Sequence, residues 1–162
     1  FTSDDVVGVE VCAAIKNIFS MILGASKGLC NSNASKQIRE TNYLNTAAAL
    51  LKQSIHEMII FTEKQKGEKE TVIGLAGVGD LYVSDKGGRN SKMGEYLGQG
   101  MTFKEVKKTK MPNDTVEGAD LALEIGSKVK RDFDVKTLPL MVSIINTICD
   151  EKPLTVKWNY FK

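Results

Sequence analysis

The stretch over residues 11–26 carries one charged side chain, Lys16, among small and apolar residues. Its larger apolar residues recur at the spacing of one helical face, and they are Ile15, Ile18, Phe19 and Ile22. The neighbours of Lys16 on that helix are small or apolar, so the lysine does not lie on a solvated face. Its ammonium group therefore either extends to the surface or lies in a pocket, where desolvation suits a lysine to general acid or base chemistry. The stretch is too short and too polar for a membrane span, because it contains Lys16 and Asn17.

The rest of the chain also favours helices, because it has three prolines and few β-forming runs. We expect a first helix capped by Asp4 or Asp5 and ended by Gly28, a polar loop over residues 30–43, and a second helix over about 44–66. Further helices are predicted over residues 68–74, 89–97, 102–108 and 114–131. Another helix is predicted to begin at residues 137–139. A last helix is predicted over residues 154–162, where a strand is the alternative. Together they predict a compact all-α, multi-helix domain over residues 1–162.

Length and composition fit one soluble domain with its own core, at 162 residues, 42% hydrophobic and 26% charged. A net charge of +2, with lysines spread along the chain, argues against a nucleic-acid surface. The three cysteines include no C-x-x-C pair, which fits a reducing, cytoplasmic compartment. A single histidine, His56, makes a metal site or a Ser-His triad unusual. The start at Phe1, without a signal peptide, is interpreted as the start of a fragment of a longer protein.

A glycine-rich stretch over residues 74–90 places Asp80, a Gly-Gly turn and the pair Arg89-Asn90 within eleven residues. Glycines let the backbone approach a ligand closely, and an arginine offers a planar fork of donors that matches a phosphate. A helix beginning at Arg89 would present free N–H groups to the same anion. These residues indicate a site for a small phosphorylated molecule with a hydroxylated middle. The alternative is a glycine-rich connector with one exposed arginine.

Five short motifs, in order, resemble those of the soluble, NAD(P)-dependent sn-glycerol-3-phosphate dehydrogenase family. They are Gly8-Val9-Glu10 with Lys16-Asn17, residues 74–81 (GLAGVGDL), Gly88-Arg89-Asn90, residues 97–100 (LGQG) and Val116-Glu117-Gly118. The resemblance implies the all-α, substrate-binding C-terminal domain found in glycerol-3-phosphate and 6-phosphogluconate dehydrogenases. It also implies that the N-terminal nucleotide-binding domain is absent from this chain, which would be inactive alone.

The family interconverts dihydroxyacetone phosphate and sn-glycerol 3-phosphate by hydride transfer with NAD or NADP as the cofactor. The resemblance makes Lys16 the catalytic general acid/base, which protonates the substrate oxygen as hydride arrives. The implied substrate-binding residues are Lys16, Asn17, Asp80, Ser84, Gly88, Arg89 and Asn90. The implied cofactor-binding residues are Arg89, Thr115 and Glu117, and no metal is implied. Two of these have structural alternatives: Asp80 as the N-cap of a helix at Leu81, and Glu117 as the capping-box acid paired with Asp114.

Some residues depart from the family pattern and leave other functions open. Ala13 stands where a glycine is usual, Gln53-Ser54 replaces an Arg-Gly pair, and residues 30–43 exceed the usual connector. One alternative is a dehydrogenase for another hydroxy acid, against which the phosphate-type Gly-Gly-Arg-Asn segment argues. Another is a non-catalytic helical dimerisation module, which would need neither Lys16 nor Arg89. We further expect a homodimer that acts in carbohydrate and phospholipid metabolism, whereas the choice between NAD and NADP belongs to the absent domain.

Overall fold

The computed structural model describes residues 2–30 and 36–162. In the second helix, side chains are described from residue 43 onward. All regular secondary structure in these residues is helical, which confirms the all-α prediction. The helices are α1 (Val6–Leu29), α2 (Lys36–Lys64), α3 (Lys69–Ile73), α4 (Asp80–Asp85), α5 (Arg89–Gly98), α6 (Phe103–Thr109), α7 (Glu117–Asp132) and α8 (Pro139–Cys149). A π-helical turn, Leu75–Gly79, joins α3 to α4, and a 3₁₀ turn, Trp158–Tyr160, lies near the end of the chain.

The first helix, α1, is the central element, and α2, α5 and α7 pack around it. The predicted apolar face is buried, since no member of the set Ile15, Ile18, Phe19 and Ile22 is more than 2% exposed. By length and composition alone α1 could cross a membrane. Its burial against three other helices accounts for the same apolar composition.

The crossing of α1 and α5 is unusually close because glycines face backbone on both helices. A Cβ atom on Gly24 would lie 1.9 Å from the backbone oxygen of Ser91, and one on Gly94 would lie 1.8 Å from a backbone oxygen of α1. Gly28 belongs to the same contact, and α1 continues past it to Leu29. The prediction that Gly28 ends the helix is therefore wrong, because this glycine is required for packing and not for a turn.

Asp5 fixes the start of α1 and joins it to α3. Its carboxylate accepts the N–H of Gly8 at 2.8 Å, the N–H of Glu68 at 2.8 Å and the hydroxyl of Thr71 at 2.7 Å. These hydrogen bonds lower the pKa of Asp5, and the bond from Thr71 has the largest effect. Of the two predicted caps, Asp4 and Asp5, the structure therefore uses the second.

The second helix begins earlier than predicted. Residues 31–35 of the expected loop lie outside the described residues, but α2 already begins at Lys36, so the loop prediction is wrong over residues 36–43. This segment contains Gln, Arg and Glu, which are good helix formers, and it continues the helix that the downstream apolar residues anchor. The helix ends at Lys64, just before Lys66, whose φ is 72°.

The later elements follow the predictions in part. The capping box of α6 is confirmed, with Thr102 N–H donating to Glu105 at 2.8 Å and Glu105 N–H donating to Thr102 at 3.3 Å. The predicted cap at Asp114 is wrong, because α7 begins at Glu117. The backbone carbonyl of Asp114 accepts a hydrogen bond from the ammonium group of Lys107 at 2.5 Å. A helix over residues 154–162 is also wrong, since only the 3₁₀ turn is helical there.

Before the 3₁₀ turn the terminal segment has no regular secondary structure, and its apolar residues alternate with polar ones. Leu154 and Val156 are partly buried against the core, whereas Thr155 and Lys157 are exposed. An apolar residue at every second position suits an extended chain with one buried side. The alternation in sequence therefore matches the alternation in burial, although no strand forms in this segment.

Candidate active site

Lys16 is mostly buried and contacts a carboxylate from another helix. Its ammonium group forms a hydrogen-bonded ion pair with Asp80, the first residue of α4. The Lys16 side chain is 19% exposed and that of Asp80 is 39% exposed. The side chain is therefore mostly withdrawn from solvent and paired with Asp80. The ion pair holds the nitrogen of the ammonium group in one place.

Asp80 reaches Lys16 because the chain before it makes a tight π-helical turn. A Cβ atom on Gly77 would lie 2.0 Å from the backbone oxygen of Val72, so the turn folds directly onto α3. Asp80 then begins α4, and the N-cap position, Gly79, supplies no side-chain cap. The carboxylate thus faces α1 instead of capping its own helix. Single π-helical turns often occur at functional sites.

Asn17, the neighbour of Lys16, lies at a junction of three helices. The side-chain amide of Asn90, from α5, donates to the side-chain oxygen of Asn17 at 3.1 Å. The side-chain oxygen of Asn90 accepts the N–H of Gly118, near the start of α7, at 2.9 Å. A Cβ atom on Gly118 would lie 2.4 Å from the backbone oxygen of Asn17, so α7 begins in direct contact with α1.

Arg89 is the first residue of α5 and pairs with Glu117, the first residue of α7. Its Nη2 lies 2.6 Å from Oε1 of Glu117, and the two side chains are 53% and 45% exposed. Oε2 of Glu117 lies 3.4 Å from the amide nitrogen of Asn90. The amide of Asn90 is therefore directed at protein groups on all sides, and this residue is only 7% exposed. Of the two side chains predicted to bind phosphate, Arg89 is therefore more accessible than Asn90.

The loop before α5 and the last turn of α4 complete the cluster. Gly87 has φ 123°, which favours glycine, and Gly88 precedes the first turn of α5. The first N–H groups of that helix have no partner within it, since the ladder starts with Lys92 N–H donating to Gly88 at 3.0 Å. Ser84 follows Asp80 by one turn, and its backbone oxygen accepts the hydroxyl of Ser20 at 3.0 Å.

Thr115 lies apart from the ion pairs and from the junction at Asn90. It is exposed and precedes α7 by two residues. The predicted capping box of Asp114 with Glu117 does not form, because Glu117 lies inside the helix and its carboxylate contacts Arg89 instead.

The cluster opens onto a cavity of about 960 Å³ beside Asp80. Gly79 and Val83 line it from the same segment as Asp80, and Val9 lines it from α1. Leu75, 77% exposed, and Val83, 68% exposed, make part of this wall apolar. The opening is large enough for a small molecule to approach the Lys16–Asp80 pair.

One buried acid was missed by the sequence analysis. Glu57 in α2 is fully buried and accepts the N–H groups of Leu140 and Met141, each at 2.8 Å, and the amide of Gln53 at 3.1 Å. Burial raises the pKa of Glu57 to about 7, against the opposing effect of these donors. Pro139 was the available signal, because a proline at a helix start leaves the next N–H groups in need of an acceptor.

His56 lies beside Glu57 on α2 and is half-buried. Burial lowers its pKa, and the charges of Lys52 and Lys162 act in the same direction. Within the part of the chain whose side chains are described, no group of three or more His, Cys, Asp or Glu residues is arranged to hold a metal ion.

Comparison with known proteins supports one family throughout. A family model described as the C-terminus of NAD-dependent glycerol-3-phosphate dehydrogenase matches residues 5–157. The chain is 31% identical over 156 residues to glycerol-3-phosphate dehydrogenase [NAD(P)+] of Agathobacter rectalis, covering 94% of this chain and 42% of that protein. It is 32% identical over 133 residues to the NADP(+)-dependent glycerol-3-phosphate dehydrogenase of Archaeoglobus fulgidus, covering 79% and 38%.

The fold agrees with that of a solved relative. The crystal structure of glycerol-3-phosphate dehydrogenase from Coxiella burnetii superposes with a TM-score of 0.74 at 27% identity, covering 94% of this chain and 43% of that one. The chain thus spans about two-fifths of the length of the relatives named here. It belongs to the NAD-dependent glycerol-3-phosphate dehydrogenase family and corresponds to the C-terminal domain of its members.

Proposed function

We propose that the whole protein interconverts dihydroxyacetone phosphate and sn-glycerol 3-phosphate by hydride transfer with NAD(P)H, and that this chain supplies the substrate site and the proton carrier. One observation carries the proposal: the Lys16–Asp80 ion pair lies next in the chain to the hydrogen-bonded network that contains Arg89. Asn17 follows Lys16 in sequence and bonds to Asn90, which follows Arg89. A proton carrier and a phosphate-type donor are thereby held at fixed positions relative to each other.

The phosphate end is assigned to Arg89 and the first turn of α5. A guanidinium matches phosphate oxygens with two parallel hydrogen bonds, and helix N-termini favour anions. Gly88 leaves the approach to that turn free of a side chain. Asn90 supports this site by fixing α5 to α1 and α7, and its backbone N–H, not its amide, remains for the ligand.

The proton step is assigned to Lys16. Hydride arriving at the ketone carbon leaves negative charge on the oxygen, and a positioned ammonium stabilises that charge and donates the proton. In the reverse direction neutral Lys16 accepts the hydroxyl proton. Asp80 holds the ammonium in place, and Asn17 and Ser84 offer polar groups for the substrate hydroxyls.

The cofactor is NAD or NADP, and it supplies or accepts the hydride. In this chain Arg89, Thr115 and Glu117 are the residues that would face it. All three are exposed at the start of α5 or beside the start of α7, which fits a group presented from outside the domain. Their side chains provide a cation, a hydroxyl and a carboxylate, and no step is assigned to them beyond binding.

We also propose the assembly that the sequence led us to expect. Residues 1–162 form one substrate-binding unit, a nucleotide-binding domain precedes it, and the protein is a cytoplasmic homodimer. The share of the relatives that this chain covers, about two-fifths, leaves room for such a domain.

The test compares the whole protein with this chain. The whole protein is expected to oxidise NADH or NADPH with dihydroxyacetone phosphate and to discriminate strongly against unphosphorylated keto acids and against dihydroxyacetone. The 162-residue chain is expected to unfold cooperatively, with a helical circular dichroism spectrum, and to show no turnover. Preference for a keto acid by the whole protein, or clear turnover by this chain alone, would contradict the proposal.

A further inference from the structure

We propose that Glu117 is an internal anion that occupies Arg89 until a phosphate displaces it, and that it thereby lowers the anion affinity of the site. The inference rests on the proposed function, because it takes Arg89 to be the phosphate-binding group. It assigns Glu117 a competing role that is separate from any contact with the cofactor.

The geometry places the Glu117 carboxylate on the two residues that were predicted to hold phosphate. Oε1 lies 2.6 Å from Nη2 of Arg89, and Oε2 lies 3.4 Å from the amide nitrogen of Asn90. A phosphate approaching the accessible edge of Arg89 therefore meets a carboxylate that already uses part of the guanidinium fork. Two anions sharing one guanidinium repel each other, so the ligand either displaces Glu117 or binds beside it at a cost.

The surroundings allow the side chain of Glu117 to leave while its backbone stays in place. The next residue, Gly118, donates its N–H to the buried Asn90 and lies against the backbone of Asn17. The start of α7 is thus fixed by buried contacts. The carboxylate, in contrast, is 45% exposed and can rotate into solvent without breaking the contacts of Gly118.

The energies favour displacement by a phosphate. A half-exposed ion pair contributes little, about fivefold at most in an equilibrium constant, because water screens it and both side chains lose freedom. A phosphate offers Arg89 two charge-assisted hydrogen bonds and also accepts from the first turn of α5. The phosphate therefore displaces Glu117 from Arg89, but the affinity of the site for phosphate is reduced because the Arg89–Glu117 pair must break.

A positioning role for Glu117 would have the opposite effect on anion affinity. If Glu117 instead oriented Arg89 for the ligand, removing its charge would loosen the guanidinium and weaken anion binding. The sign of the change in affinity therefore separates an internal competitor from a positioning residue.

The experiment titrates the isotope-labelled 162-residue chain with inorganic phosphate and, separately, with glycerol 3-phosphate at fixed pH and ionic strength. NMR signals of the Arg89 side chain and of the first turn of α5 report binding at this site. Glu117→Gln keeps the shape of the side chain and removes its charge. We expect it to bind both probes about fivefold more tightly than the unmodified chain.

Glu124→Gln is the matched control, because Glu124 is an exposed acid on the same helix and its replacement changes net charge equally. We expect this variant to stay within about twofold of the unmodified chain. In the unmodified chain, saturation with phosphate should also shift the Glu117 carboxyl carbon signal, since the carboxylate leaves Arg89.

Weaker or unchanged binding by Glu117→Gln, with the Arg89 signals still responding, would overturn the inference and leave the phosphate site intact. An equal gain in Glu124→Gln would also overturn it, because the effect would then be general electrostatics. If the Arg89 signals respond in neither the unmodified chain nor Glu117→Gln, the phosphate assignment in the proposed function fails as well.

Discussion

Asp80 and Glu57 are both carboxylates held by groups from a different helix, yet their surroundings differ in every other respect. Asp80 faces the ammonium of Lys16 at the edge of an open cavity and is 39% exposed. Glu57 is fully buried and faces only N–H donors, two of them from the backbone at the start of α8. A charged partner beside an open cavity can be replaced by a ligand, which suits a binding site. Backbone donors fixed in the core cannot be replaced, so the acid that they hold stabilises the fold.

The same contrast holds for the pairs around each acid. Arg89 and Glu117 are about half exposed, so a ligand can replace either partner. Gln53 and Glu57 are no more than 1% exposed, and Gln53 also accepts the N–H of Lys162 at 3.1 Å. Substitutions in the first region should therefore change catalysis with little change in folding, and substitutions in the second should do the reverse.

The largest expected effect is the loss of turnover on replacing Lys16. In the whole protein Lys16→Met keeps the side-chain volume and removes the proton carrier, so kcat should fall by about 10²–10⁴-fold. The thermal unfolding temperature should change little. Lys130→Met is the control, because Lys130 forms a half-buried ion pair with Asp150 on another part of the fold. Retention of more than about a tenth of the turnover by Lys16→Met would contradict the assignment.

The next largest effect is expected in the stability of the buried region. Glu57→Ala leaves two buried N–H groups of α8 without an acceptor, so the free energy of unfolding should fall by about 3 kcal/mol or more. Glu105→Ala removes an exposed capping-box acid from α6 and should lower the free energy of unfolding by much less. Urea unfolding of the 162-residue chain measures both. Equal losses in the two variants would show that the burial of Glu57 is not what distinguishes it.

A smaller effect is expected on substrate binding when Arg89 is replaced. Arg89→Lys keeps the charge and loses the planar fork, so KM for dihydroxyacetone phosphate should rise about tenfold in the whole protein. The slow rate with unphosphorylated dihydroxyacetone should be nearly unchanged. Steady-state kinetics with both substrates decide the matter, and an equal loss on both would place Arg89 outside the phosphate site.

A further effect is the pH dependence of stability that Glu57 contributes. Its folded-state pKa of about 7 lies above the ordinary value of 4.5, so between these values the folded chain binds more protons than the unfolded chain. This contribution to stability is therefore complete below about pH 4.5, falls as the pH rises to about 7, and is constant above that. The slope is at most about 1.4 kcal/mol per pH unit.

Glu57→Gln removes the titrating group and tests this dependence. The difference in unfolding free energy between the unmodified chain and Glu57→Gln should decrease from pH 4.5 to pH 7. A difference that grows with pH would mean that the donors from Leu140 and Met141 outweigh burial and that the carboxylate is stabilised in its charged form.

Predictions succeeded where the determining contacts are local in sequence. The apolar face of α1, the cap at Asp5 and the capping box of Thr102 with Glu105 each depend on residues within a few positions. They failed where distant groups compete. Gly28 continues a helix because α5 lies against it, and Asp114 does not cap α7, which begins three residues later.

For the candidate site the sequence supplied the residue types, whereas their pairing came from the fold. Lys16, Asp80, Arg89 and Glu117 were all singled out from motifs. The pairing of Arg89 with Glu117 and the junction at Asn90 join residues 28 and 73 positions apart, which no local pattern specifies. Glu57 was missed for the same reason, since its backbone donors lie 83 and 84 positions away.

The sequence by itself determined that this chain is helical, which faces of the helices are apolar, and which family it belongs to, because periodicity, caps and motifs are written in short segments. Only the tertiary structure decided that Glu117 pairs with Arg89 and that Glu57 is buried. Those outcomes depend on how closely the helices approach one another, and glycines at Gly24, Gly94 and Gly118 set that approach by letting backbone meet backbone. A charge placed at such a junction acquires its role from the helix across from it.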